Sequence, residues 1–248
     1  ASHFVWTNRA KESLTLDIKH TEGTKILRKL VLDADVLVQN LAPGAAERLG
    51  LGYDNLQAEN PGLIVCNISG YGRGGPQQNR KAYDLLIQSE AGLLSTTGPQ
   101  NTPSKAGISI ADIAAGMYAY SNILAALLQR GKTGRGCNID LSMLDAMTEW
   151  MGYPLYYAYD GAPPPPRAGA SHATIFPYGP FAVGDGRTVI LGLQNEREWH
   201  AFCNTVLRAS DLASEPRFSS NSLRVEHKVA LTQIITAAFA DLTTTQVT

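Results

Sequence analysis

The sequence predicts an α/β protein with a largely parallel sheet, and three observations support this prediction. Short apolar runs alternate with stretches of helical periodicity through the first half of the chain, as they do in a chain of βαβ units. The 248 residues are 44% hydrophobic and 17% charged, which allows a substantial core. Four consecutive prolines, Pro163 to Pro166, then interrupt the pattern and separate a shorter second part.

The elements follow from hydrophobic periodicity, which has a period of 2 in strands and 3.6 in helices. We predict the following elements in chain order: strand 14–18, helix 22–32, strands 36–39 and 63–68, helices 81–94 and 109–130, strand 137–141, helix 142–157, strand 188–193, and helices 196–207 and 225–240. Alternating strands and helices of these lengths indicate a parallel sheet with crossover helices.

The proline run divides the chain into two predicted domains. We predict a large domain at 1–160, a Pro-rich linker at 161–171 and a smaller α+β domain at 172–248. The sequence begins without Met and ends directly after an apparent helix. We therefore expect a fragment that lacks part of each domain.

Charge and cysteine content exclude several classes of function. The chain has 21 basic and 22 acidic residues with no run of like charge, which argues against a nucleic-acid or membrane-surface partner. Its three cysteines show no C-x-x-C spacing, so we expect neither a disulfide framework nor a metal site, and a reducing cytoplasm fits best. The apolar stretch 109–129 contains Asp112, Ser121 and Asn122, so we expect a buried helix rather than a membrane span.

Two glycine motifs resemble nucleotide-binding loops but lack the required context. The segment 70–75 reads G-x-G-x-x-G, yet Pro76 and a polar run follow where a dinucleotide site needs a helix. Gly131-Lys-Thr133 ends like a phosphate loop, but Ala126 occupies the position of its first glycine. We interpret the first as a loop and the second as a helix-ending turn.

One carboxylate has an unusual sequence environment. Asp112 is the only charged residue between Ser109 and Gln129, and it lies in the first turn of an apolar predicted helix. Ser109-x-x-Asp112 is also a capping-box pattern, in which Asp112 only satisfies the helix start. Alternatively, partial positive charge at the helix start and loss of water prepare Asp112 to act as a nucleophile. Spacing alone leaves both interpretations open.

Six short stretches in one order resemble the family III CoA-transferases, a group that includes α-methylacyl-CoA racemases. They follow one another between residues 8 and 136, a length typical of one domain. The stretches are 8–19 (NRAKESLTLDIK), 34–40 (ADVLVQN), 43–53 (PG and ERLGLGY), 81–84 (KAYD), the Asp112 helix, and 131–136 (GKTGRG).

The resemblance implies a Rossmann-like large domain and a CoA thioester as substrate, with no tightly bound cofactor. It implies that Asp112 is the catalytic aspartate and that the parent enzyme is an interlocked homodimer. It further implies that five residues hold the CoA nucleotide and pantetheine, namely Lys19, Asn40, Arg48, Lys81 and Tyr83. Lysine and arginine suit the phosphates, and the Tyr83 ring offers an apolar face.

The resemblance also separates transferases from racemases. Racemases of the family carry Gly-His-Asp where this chain reads Ala82-Tyr83-Asp84, so the proton-exchanging histidine is absent and acyl transfer is favoured. Segments 170–181 and 192–199 resemble the branch that acts on C4 to C5 dicarboxylic acids. His172 or Arg167 is the candidate partner for a second substrate carboxylate. A racemase and a non-catalytic CoA-binding protein are the alternatives.

Overall fold

The computed structural model describes residues 2–248, which form two compact units. The first unit contains the residues up to Ala91 together with Ile108–Trp150, and the second contains Gly92–Gly107 with Met151–Thr248. A parallel sheet with packed helices confirms the predicted α/β class.

The strands are β1 Val36–Gln39, β2 Ile64–Ser69, β3 Asn138–Ser142, β4 Tyr178–Ala182 and β5 Thr188–Gly192. The α-helices are α1 Ser2–Thr7, α2 Thr21–Leu32, α3 Ala45–Arg48, α4 Tyr53–Leu56, α5 Asp84–Glu90, α6 Leu93–Thr96, α7 Ile110–Thr133, α8 Met143–Trp150, α9 Gly152–Tyr157, α10 Glu196–Thr205, α11 Asn221–Glu226, α12 Lys228–Phe239 and α13 Thr244–Val247.

The first unit is built on a three-stranded parallel sheet in the order β1-β2-β3. The central strand β2 begins with four consecutive buried residues, as expected for a strand that is covered on both faces. Val31 of α2 packs with Leu63 and Val65 on one side of the sheet. Ala115 of α7 packs with Cys66 elsewhere on β2. Helices therefore cover the faces of the sheet, and the ends of its strands remain available for a binding site.

Helix α7 packs through small side chains, which corrects the expectation of burial all round. Its buried residues are all alanines, whereas Met117, Tyr120 and Leu128 are exposed. By length and apolar composition α7 could cross a membrane. Here its alanine face brings the helix close to the sheet, because small side chains permit close approach of the two backbones.

The secondary structure differs from the prediction at several places. Helix 81–94 is divided into α5 and α6, and helix 225–240 is divided between α11 and α12. The predicted strand 14–18 is irregular, and Leu14 is exposed instead of contributing to the core. The predicted helix 142–157 is divided into α8 and α9 at Met151. Strand β4 was not predicted, because its sequence Tyr-Gly-Pro-Phe-Ala contains two residues that are poor strand formers.

The second unit has an antiparallel β4–β5 hairpin beside the helices α10 to α13. Its core contains Phe181, Trp199, Phe202 and Phe239, which pack edge-on or tilted against one another. Buried aromatic side chains supply large apolar area, so burial of this core stabilises the unit.

The Pro-rich segment 161–171 lies within the second unit and is bonded to 92–107. The guanidinium of Arg167 donates to the carbonyl oxygens of Ser95, Pro99 and Gln100 at 3.4, 3.3 and 2.8 Å. The Gly169 N–H donates to the Gly98 carbonyl at 3.0 Å. These bonds connect 92–107 to the later residues. The second unit therefore includes a segment that lies before residue 160 in the chain.

Candidate active site

A concavity of the first unit lies at the carboxyl edge of its parallel sheet. Asn40 follows β1, Gly70 follows β2 and Met143 follows β3, and all three residues line one cavity of about 460 Å³. The carboxyl ends of parallel strands are the usual place for ligand sites in open α/β sheets. The position of the cavity therefore follows directly from the parallel topology.

Four of the six predicted site residues meet at this cavity. Asn40, Lys81, Tyr83 and Asp112 line it, although they are separated by up to 72 residues in the chain, since 112 − 40 = 72. The other two, Lys19 and Arg48, are exposed side chains that do not line it. The proposed CoA contacts of Lys19 and Arg48 stay a prediction.

Asp112 is the third residue of α7, and its side chain borders the cavity. Among residues 2–248, none forms a hydrogen bond or an ion pair with the Asp112 carboxylate. Desolvation in the cavity raises the pKa of Asp112, and the negative charge of Asp84 raises this pKa further. The carboxylate is thus unpaired, more basic than a solvated aspartate and open to a ligand.

The first turn of α7 is capped by Asp84 and not by a local capping box. Asp84 Oδ1 accepts the N–H groups of Ala111 at 2.8 Å and of Asp112 at 3.4 Å, while the Ser109 side chain makes no capping bond. The capping-box interpretation of Asp112 is therefore wrong. The neighbouring N–H groups are also occupied, since that of Ile113 donates to the Ser109 carbonyl.

Asp84 was missed as a functional candidate by the sequence interpretation, which used Ala82-Tyr83-Asp84 only to note the absent histidine. A signal was present, because Asp84 is an acid in the first turn of a predicted helix with Gln88 four residues later. The chain itself does not reveal that this acid meets a helix start 27 residues away, since 111 − 84 = 27.

A close backbone approach shapes one wall of the cavity. A Cβ added to Gly70 would lie 2.1 Å from the Cβ of Ala82, a separation that real atoms do not tolerate. Only glycine therefore allows the segment that carries Lys81 and Tyr83 to lie against the end of β2. Residues 70–83 contain neither helix nor strand, which confirms the loop interpretation of the G-x-G-x-x-G pattern.

A row of polar side chains crosses the three strands beside this cavity. Gln39 donates to Asn67 at 2.8 Å, and Asn67 donates to Asp140 at 3.2 Å, each pair lying at one register position. Arg73 continues the row, because its Nε lies 2.9 Å from Asp140 and its Nη2 lies 2.7 Å from Glu47. Gln39, Asn67 and Arg73 also line an adjoining cavity of about 260 Å³. The polar row fixes the strand ends that support the site.

His172 and Arg167 have structural partners within the second unit. The Nδ1 atom of His172 accepts the N–H groups of Thr174 and Ile175 at 3.1 Å each, and its ring stacks on Tyr178. The Arg167 guanidinium is engaged by the three carbonyl oxygens described above. Their suggested contact with a second substrate carboxylate stays a prediction. Within residues 2–248, no group of three or more His, Cys, Asp or Glu residues could hold a metal ion.

Comparison with known proteins identifies one family. The model of CoA-transferase family III matches residues 1–248. A succinate–glutarate CoA-transferase of Agrobacterium fabrum is 37% identical over 95% of the chain, and a human succinyl-CoA:glutarate CoA-transferase is 33% identical over 97%. A succinyl-CoA:mesaconate CoA-transferase of Haloarcula marismortui is 36% identical over 86%.

The structural comparison gives the same family of folds. A CAIB/BAIF family protein from Brucella suis superposes with a TM-score of 0.83 at 36% identity over 98% of this chain and 64% of that protein. The chain spans 58%, 55% and 54% of the length of the Agrobacterium, human and Haloarcula relatives. It therefore corresponds to just over half of a typical curated relative.

Proposed function

The chain belongs to CoA-transferase family III, and we propose that the full-length protein transfers CoA between carboxylic acids with Asp112 as the nucleophile. One observation carries the proposal: the Asp112 carboxylate has no protein partner among residues 2–248 and borders the cavity at the sheet edge. A nucleophilic carboxylate must be unpaired and accessible, whereas a structural one is held by donors.

The proposed reaction proceeds through two covalent states of Asp112. The carboxylate attacks the thioester carbonyl of an acyl-CoA, the C–S bond breaks, and a mixed anhydride forms with release of CoA thiolate. The thiolate attacks the aspartyl carbonyl of the anhydride, which releases the first carboxylic acid as its anion and leaves an Asp112–CoA thioester. The acceptor carboxylate then repeats these two steps in reverse and leaves as the new acyl-CoA, with no net transfer of protons.

The surroundings of Asp112 suit this chemistry. Desolvation and the nearby Asp84 charge raise the pKa of Asp112, which makes its carboxylate more basic and a stronger nucleophile when ionised. Lys81 and Arg80 line the same cavity and supply positive charge for an anionic thioester or its phosphates. Binding CoA through its distant nucleotide would keep the released thiolate beside the anhydride, which is an advantage of proximity.

We propose C4 to C5 dicarboxylic acids as the acyl groups and acceptors. Support comes from three similar proteins whose names specify succinate with glutarate or mesaconate. Initial-rate measurements with succinyl-CoA and a series of acceptors from acetate to glutarate would test this, with dicarboxylates expected to be preferred. We also propose a homodimer for the full-length protein, which analytical ultracentrifugation would test.

A racemase is the second candidate, because the family resemblance includes both activities. Tyr83 lines the cavity where a racemase of this kind requires a histidine. The proton-exchanging histidine of that mechanism is therefore absent from this cavity position, which favours transfer. Deuterium incorporation beside the thioester of a 2-methylacyl-CoA would support the racemase.

Trapping of the covalent states tests the transferase mechanism. The full-length protein is incubated briefly with succinyl-CoA and then treated with hydroxylamine or borohydride, and its peptides are analysed by mass spectrometry. We expect the modification on the Asp112 peptide and a loss of turnover of at least about 10³-fold in Asp112→Ala. Asp145→Asn is the matched control, because Asp145 is likewise in the first turn of a helix but does not line this cavity. Acyl-CoA binding without any adduct would indicate a non-catalytic CoA-binding protein.

A further inference from the structure

The starts of two helices are joined through a single carboxylate in the first unit. Asp84 is the first residue of α5, and its Oδ1 accepts the N–H groups of Ala111 and Asp112 at 2.8 and 3.4 Å. Its Oδ2 accepts the Gln88 Nε2–H at 2.6 Å, and Gln88 is fully buried. Both oxygens are therefore held, and the orientation of Asp84 is set by α5 as well as by α7.

We infer that Asp84 is a positioning residue for Asp112, holding the helix turn that carries it and favouring, through its charge, the states in which Asp112 is acylated. This inference rests on the proposed function, because it assumes that Asp112 becomes covalently modified. It assigns Asp84 a role that does not require contact with the substrate.

Asp84 binds the backbone of the proposed nucleophile directly. The N–H group of Asp112 is one of the two groups that Asp84 binds, so the position of the Asp112 Cα depends on Asp84. Local groups do not replace this bond, since the Ser109 side chain makes no capping contact. A displacement of about 1 Å at a nucleophile can lower a rate by about 10²-fold.

The free and acylated forms of Asp112 differ in their electrostatic interaction with Asp84. In the free enzyme the negative charge of Asp84 acts on the Asp112 carboxylate and contributes to the raised pKa of Asp112. When Asp112 forms an anhydride or a thioester it loses its charge, and the repulsion from Asp84 is removed. Asp84 therefore destabilises the free nucleophile relative to both covalent states.

The other charged groups at the cavity do not replace Asp84 in this role. Arg80 and Lys81 line the cavity from the segment before α5. Arg80 is paired with Glu90 at 2.7 Å, so part of its charge is already balanced. Among these groups only Asp84 is an acid that binds the backbone of the Asp112 turn.

Two substitutions separate positioning from charge. Asp84→Asn keeps an acceptor for the helix start and removes the charge, whereas Asp84→Ala removes both. In the full-length protein we expect kcat to fall about 10-fold in Asp84→Asn and about 100-fold in Asp84→Ala, with KM for succinyl-CoA changed less than about 3-fold. The fraction of Asp112 trapped as an adduct at equilibrium should fall in both variants.

Asp185→Asn is the matched control. Asp185 also caps a distant helix start, because it accepts the Thr244 N–H at 2.9 Å in the second unit. We expect wild-type kcat and wild-type adduct levels in Asp185→Asn. A loss of activity in this control equal to that in Asp84→Asn would mean that general destabilisation explains the effect, and would overturn the inference.

A second measurement does not depend on turnover. Carbodiimide labelling of Asp112, followed by mass spectrometry across a pH series, reports the midpoint of its titration in the substrate-free full-length protein. We expect Asp84→Asn to lower this midpoint, since one cause of the raised pKa of Asp112 is removed. An unchanged midpoint, or a lowered midpoint with wild-type kcat, overturns the inference. If the wild type forms no adduct, the proposed function fails, while the midpoint still tests the electrostatic coupling.

Discussion

Each of the two units contains a carboxylate at the first position of a helix, and the two carboxylates have opposite surroundings. Glu196 begins α10 in the second unit, and both its oxygens accept from the guanidinium of Arg224 at 2.8 and 2.9 Å. Asp84 begins α5 in the first unit, and its neighbour is a second carboxylate, Asp112. Glu196 is therefore paired with a positive charge, whereas Asp84 lies near a second negative charge.

The difference is reflected in the direction of the pKa shifts. The hydrogen bond from Arg224 lowers the pKa of Glu196, while desolvation and the Asp84 charge raise the pKa of Asp112. A lowered carboxyl pKa means that the folded state stabilises the ionised form, and a raised pKa means that it destabilises this form. Ionised Glu196 thus contributes to the stability of its unit, whereas ionised Asp112 reduces the stability of its unit.

The largest expected effect on stability comes from removing the arginine of the neutralised pair. Arg224 is 2% exposed, donates to the Phe176 and Phe218 carbonyls, and lies 5.0 Å from the ring centre of Trp199. We expect Arg224→Ala to lower the free energy of unfolding by about 3 kcal/mol, because buried carbonyls lose their donors and a cavity forms. Urea unfolding monitored by tryptophan fluorescence measures this change.

The matched control for that prediction is Arg217→Ala. Arg217 pairs with Glu215 and lies over Phe218, but its side chain is 51% exposed. Exposed pairs contribute about 1 kcal/mol or less, so the control should change little. Equal effects of the two substitutions would show that burial of Arg224 is not what stabilises the unit.

A smaller effect is expected for Glu196→Gln. The Glu196 side chain is 50% exposed, so solvent screens the pair and we expect a loss of less than about 1 kcal/mol at pH 7. Because the pKa of Glu196 is lowered in the folded state, its stabilisation is present above the unfolded pKa of about 4.3 and is lost as the pH falls through the folded pKa. Urea titrations at pH 7 and pH 3 should therefore show a wild-type advantage that is smaller at pH 3 than at pH 7. An advantage at pH 3 as large as that at pH 7 would contradict the assignment to ionised Glu196.

The same contrast shows how far a sequence interpretation can reach. The strands 36–39 and 188–193 were predicted closely, because apolar runs between turn residues report local burial. Asp112 became a candidate because a lone charge in an apolar helix is unusual within one segment, and the family resemblance then implied its catalytic role. Strand β4 was missed because its glycine and proline carry no strand signal, although pairing with β5 holds it extended.

The sequence could not show which residues bind the start of α7 or the guanidinium of Arg167. The capping of α7 by Asp84 and the clamping of 95–100 by Arg167 join residues that are far apart in the chain. Periodicity describes which face of a segment is buried, but not which distant side chain meets a helix start. The alanine face of α7 illustrates the same limit, because average apolarity predicted burial all round and side-chain size determined which face was buried.

The smallest expected effect has the opposite sign to that of Glu196→Gln. Because the pKa of Asp112 is raised in the folded state, ionised Asp112 destabilises the fold above that pKa, and the penalty disappears as the pH falls below the unfolded value near 4. We expect Asp112→Asn to unfold at the same or a slightly higher urea concentration than wild type at pH 7, and at an equal concentration at pH 3. Asp145→Asn serves as the control for loss of a first-turn acid. A lower unfolding midpoint for Asp112→Asn at pH 7 would show that Asp112 supports the fold, and the contrast between the two helix starts would then fail.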